Sequence, residues 1–62
     1  MSHSPIKAQH FTAELRELVE PVREKAVEIA NEILSREADL PPRVAIQRAI
    51  PLAEQWYLDR AG

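Results

Sequence analysis

Residues 12–36 read TAELRELVEPVREKAVEIANEILSR, and the apolar spacing within them decides the fold class. Leu15, Val19, Val22, Ala26, Ile29 and Ile33 follow one another at intervals of 4, 3, 4, 3 and 4, while Leu18, Ala30 and Leu34 widen the stripe. Recurrence at three and four residues puts apolar groups on one side of a helix. Thr12 stands where a cap is expected, with Glu14 near the positive end of the helix dipole. Pro21 interrupts the pattern, since it has no amide hydrogen and its ring meets the carbonyl of Glu17. Either one kinked helix spans about Thr12 to Ser35, or a short helix ends near Val19 and a second carries Pro21 in its first turn. The break is the favoured reading. An interior proline costs about 3 kcal/mol, and Glu20, which precedes it, is biased away from helical angles.

Working outward, Arg36 to Pro42 reads as a connection. Leu40 and Pro41 each precede a proline, so a helix restarts only at about Pro42. Beyond Val44 the helical period gathers Ala45, Ala49, Leu52, Ala53 and Trp56 into one arc, with Ile46, Ile50 and Tyr57 on its shoulder. That arc makes Trp56 the expected core anchor. Pro51 falls outside it, so a kink there bends the wet side, and Arg60 brings a cation to the helix C-terminus. No alternating run and no Asn-Gly or Asp-Gly turn suggests a strand. The expected fold is all-α: a helical hairpin of two main helices with a short N-terminal helix, forming a small bundle. Residues 11–62 make one helical domain, and 1–10 read as a flexible leader in which Ile6 alone is available for burial.

Sixty-two residues allow one small domain. At this size burial contributes on the order of 90 kcal/mol and ordering the chain costs about the same, so association with a further chain is a natural supplement. Eight Lys and Arg against ten Asp and Glu leave no electrostatic footprint for nucleic acid or an anionic membrane. The absence of cysteine removes disulfides, thiolate chemistry and sulfur-rich metal sites. The longest apolar run, Ala49 to Ala53, is interrupted by Pro51, too short for a secretory or spanning segment. A cytoplasmic protein is expected.

Val22-Arg23-Glu24-Lys25-Ala26-Val27-Glu28-Ile29-Ala30-Asn31, followed by Ala45-Ile46, Ala49 and Ala53-Glu54-Gln55-Trp56-Tyr57, resembles the small bacterial YdaT-like proteins. Those carry helices of the types VRxKAxxIAN and AIxxAxxxAxxWY in the same order. The likeness covers about the last two-thirds of the chain and rests mostly on core-type residues. This chain departs from the pattern at Leu40-Pro41-Pro42, where such proteins have a glycine-containing loop, and at 1–10, where they have a tryptophan-bearing N-terminus. The resemblance implies a helical fold in a bacterial cytoplasm and supplies no catalytic residue.

The chemistry-bearing residues are few. His3 and His10 are seven apart in the leader and lack the further ligands a tetrahedral metal needs. Glu20, Glu24, Glu28 and Glu32 recur every four residues and drift along one acidic flank, with Glu17 close by. Nothing drives their pKa values apart as an acid–base pair requires. Pairs such as Glu20 with Arg23, Lys25 with Glu28 and Glu32 with Arg36 make this a solvated face, or a docking strip for a basic partner. Asn31 reads as structural. Trp56 and Tyr57 would suit base stacking, but no second platform accompanies them. Ser2, Thr12, Ser4 and Ser35 have no base or oxyanion loop, and the one glycine, Gly62, excludes a phosphate-cradling loop.

These readings point to a non-enzyme without cofactor, catalytic residue or metal site: a small helical protein-interaction module of unknown biological role. The second class is a small helix-turn-helix-like DNA-binding regulator. Its link of about six residues exceeds the usual 3–4-residue turn, and its acidic flank repels phosphate. The expected partners are a second copy, forming a homodimer, or an unidentified protein, with no nucleic acid and no membrane. Val44, Pro51 and Leu58 recur at intervals of seven on the far side of the last helix and form the candidate self-association stripe.

Overall fold

The computed structural model describes residues 11–61, apart from the side chains of Thr12 and Ala61. The expected leader therefore lies outside the described residues, as do His3 and His10. Three helices follow in order: α1 (Thr12–Leu15), α2 (Glu20–Arg36) and α3 (Pro42–Ala61). Helices α2 and α3 pack against each other as a hairpin, with α1 folded beside them. This is the all-α arrangement expected from the apolar spacing, within extents of 40 × 21 × 14 Å.

Pro21 separates two helices. α1 ends at Leu15, the turn closes through Leu18 N–H to the Leu15 carbonyl at 3.1 Å, and α2 restarts with Pro21 in its first turn. A proline there gives up an amide hydrogen that would have had no helical acceptor. Val19 occupies the N-cap position with extended angles, φ −65° and ψ 155°, and its carbonyl accepts from Arg23 N–H at 2.9 Å. The Arg23 guanidinium donates to the Leu18 carbonyl at 3.1 Å and so ties the turn to the helix it precedes. Arg23 makes no ion pair with Glu20, the acid expected to pair with it. The expected cap of the first helix, Thr12, is the opening residue of α1.

The second connection follows the prolines. Glu37 N–H donates to the Ile33 carbonyl at 2.8 Å and closes α2. Val44 and Ala45 both donate to the Pro41 carbonyl, so Pro42 begins α3 without needing a hydrogen of its own. Pro51 lies inside α3 and is exposed, as is Gln47, whose carbonyl it leaves without a helical donor. The cost therefore falls on the wet side.

The core is narrower and smaller-grained than the spacing suggests. Its buried members are Leu15, Val22, Ala26, Ala30, Leu34, Ala45, Ile46, Ala49 and Ala53. On α2 these form a strict series at intervals of four, while Ile29 and Ile33, expected at its centre, are half-buried beside it. Alanines occupy the line of closest approach because only a small side chain fits there, and the larger isoleucines fill the margins. On α3 the buried arc is rotated by roughly 30° toward Ile46 at the helical period. Ile46 is completely buried, whereas Leu52, placed in the core by its position on the arc, is 53% exposed. Trp56 is likewise corrected: it is half-buried near the open end, with Lys25 Nζ 4.9 Å and the Arg60 guanidinium carbon 4.8 Å from its ring centroid.

α1 is held by Leu15, 1% exposed, and by a polar clasp. Glu14 pairs with Arg43 at the start of α3, and the same guanidinium lies 5.8 Å from the Phe11 ring centroid. One buried leucine and one cation thus fix the short helix across the hairpin.

Candidate functional site

The break at Pro21 has a consequence for the surface. Because α1 stops at Leu15 and α2 begins at Glu20, Leu18 and Val19 lie in the turn, close to the last two turns of α3. There Leu18, Val19, Val22, Tyr57 and Leu58 line an open groove of about 370 Å³, together with the carboxylates of Glu17 and Glu54. Val19 is 53%, Tyr57 37% and Leu58 63% exposed. Single exposed apolar side chains are ordinary, but several converging on one concavity mark an interaction surface.

The charges around this end are unevenly committed. Lys25 Nζ pairs with Glu28 Oε1 at 2.9 Å and also lies over Trp56, Arg60 lies over the same ring, and Arg23 serves the Leu18 carbonyl. None of these cations lines the groove, whose charged members, Glu17 and Glu54, are both acidic and exposed. Its rim is therefore negative around an apolar floor. A second, smaller concavity of about 190 Å³ is lined by Pro21, Glu24, Lys25, Glu28 and Trp56.

The acidic flank is where the spacing put it. Glu20, Glu24, Glu28 and Glu32 are all exposed on α2, and the Lys25–Glu28 pair is present. Two of them, Glu24 and Glu28, reach the smaller concavity. The stripe of Val44, Pro51 and Leu58 is divided. Val44 is half-buried, Pro51 is exposed, successive members stand about 10 Å apart along the helix, and of the three only Leu58 lines the groove. Of the groove residues, Leu18 and Val19 are assigned by the apolar spacing to the buried stripe, and Glu17 and Glu54 carry no apolar signal. The signal for Val19 is the Glu20-Pro21 pair behind it, which makes it an N-cap and so turns it out of the helical stripe.

Among the described residues, no group of three His, Cys, Asp or Glu side chains could hold a metal ion. No described helix is long and apolar enough to cross a membrane. No family model, curated protein or solved structure matches the chain.

Proposed function

We propose that the chain is a non-catalytic helical protein-interaction module, acting in the cytoplasm, whose docking surface is the groove between the α1–α2 turn and the end of α3. The observation that carries this reading is the convergence of Val19, Tyr57 and Leu58, all exposed, on one apolar concavity. Val19 adds weight. It holds the N-cap position of α2 without a side-chain hydrogen bond, although Ser, Thr, Asp or Asn there would stabilise the helix by about 1 kcal/mol. A position that departs from local preference in this way is where functional constraint is expected. The likeness of 22–31 and 45–57 to YdaT-like helices agrees with this reading in fold class and adds no activity.

The test is comparative cross-linking in the cell of origin with the wild type, Leu58→Asn and Leu52→Asn. Both leucines are exposed, and only Leu58 lines the groove. Adducts lost with Leu58→Asn and retained with Leu52→Asn support the groove. The same adducts from all three chains refute it.

A further inference from the structure

Resting on that reading, we infer that the groove takes a single amphipathic helix of a partner protein, with apolar anchors at i, i+3 or i+4 and i+7 flanked by Lys or Arg. Two observations select this occupant over a second copy of the chain. The first is extent. The seven residues that line the groove supply only part of the about 20–30 residues a side that a stable interface between two copies engages. A short concavity between two helical segments instead matches helix-in-groove docking, in which a few anchors carry the affinity. The second is charge. Glu17 and Glu54 border the apolar floor and Glu20 follows Val19 directly, whereas Lys25, Arg60 and Arg23 are engaged by Glu28, Trp56 and the Leu18 carbonyl, and Arg16, exposed in the α1–α2 turn, does not line the groove. Two copies meeting groove to groove would set these carboxylates against one another. A helix with basic flanks places opposite charge on the rim while its apolar face covers Val19, Tyr57 and Leu58.

The probe is a fluorescently labelled, roughly 18-residue Leu–Lys peptide with leucine on one helical face, long enough to hold a helix on contact. Its Leu–Glu counterpart is the control. Both are titrated by anisotropy into the full chain, and amide shifts of the labelled protein locate the contact. The expected result is binding of Leu–Lys at least about tenfold tighter than Leu–Glu, with shifts concentrated at residues 17–22 and 54–58. Leu58→Asn weakens Leu–Lys binding by about tenfold or more while Leu52→Asn leaves it unchanged. Glu17→Gln combined with Glu54→Gln reduces the preference for the basic peptide to about threefold or less. Equal binding of both peptides at the groove overturns the basic occupant and leaves the docking groove standing. An equal loss with Glu28→Gln plus Glu32→Gln moves the site to the acidic flank and overturns the inference. A Leu58-dependent dimer of the chain alone in sedimentation makes a second copy the occupant and overturns it as well. Absence of binding by either peptide, with the fold intact by circular dichroism, overturns the inference while cross-linking separately judges the groove.

Discussion

Ile46→Ala and Leu52→Ala each remove three carbons from the same helix, so the difference between them, beyond a few tenths of a kcal/mol of helix propensity, reports burial. Ile46 is completely buried and belongs to the core, whereas Leu52 is 53% exposed. At about 0.8 kcal/mol per buried methylene, the deletion at position 46 loses roughly 2.4 kcal/mol of transfer free energy. The cavity left behind raises this to about 3 kcal/mol, within the usual range for such a truncation. At position 52 about half of the side chain is already wet, and the loss is about 1 kcal/mol or less. A chain of this length has about 3–9 kcal/mol of total stability, so Ile46→Ala removes a third of it or all of it. Urea unfolding followed by helical circular dichroism separates the two. With a slope near 1 kcal/mol/M, the midpoint falls by about 3 M for Ile46→Ala and by about 1 M or less for Leu52→Ala. A larger cost at Leu52 than at Ile46 would refute the helix rotation and restore the arc centred on Leu52 and Trp56.

Trp56→Ala should cost about 2 kcal/mol, between the two values above, because the ring is half-buried and also loses two cation contacts; complete unfolding at ambient temperature would make it a true core residue. Ala49→Leu should lower the denaturation midpoint by the equivalent of about 1–3 kcal/mol, since Ala49 is fully buried on the seam, and an unchanged melt would show that the helices stand farther apart. Arg43→Ala should cost about 1 kcal/mol globally, since Arg43 is exposed although its partner Glu14 is half-buried, while hydrogen exchange accelerates in α1; uniform acceleration would contradict a local clasp. Val19→Ser should raise stability by about 0.5–1.5 kcal/mol and weaken docking at the groove, read by thermal melting and peptide titration together. A destabilised Val19→Ser chain would mean that Val19 packs rather than waits.

Proline chemistry made the boundaries legible. Pro21 forces a restart, the Pro41-Pro42 pair delays the next helix, and the structure has α2 at Glu20–Arg36 and α3 beginning at Pro42. Such signals act through one residue's covalent geometry, so they need no knowledge of what packs where. The helix faces were legible only to within about a tenth of a turn. Apolar spacing weights the bulky residues, and on α2 it selects Ile29 and Ile33 as the centre of the stripe. Close helix approach favours the opposite choice, alanine at the contact line and isoleucine at the side, and that competition rotates both faces.

The groove was less legible for a related reason. Its floor combines a turn residue, an N-cap, one position in the first turn of α2 and two near the end of α3, brought together by where α1 stops rather than by any one periodicity. Within the stripe of residues 15–33, Val19 looks like a core position; as an N-cap it faces outward, and its apolar side chain cannot serve the free amides of the next turn. The same substitution that mends the cap removes an apolar anchor, so stability and docking make opposite demands on one side chain. That opposition is the physical content of assigning the groove a function. A merely accidental hollow would let Val19→Ser gain stability and lose nothing, whereas a docking groove predicts that the more stable chain is the weaker binder.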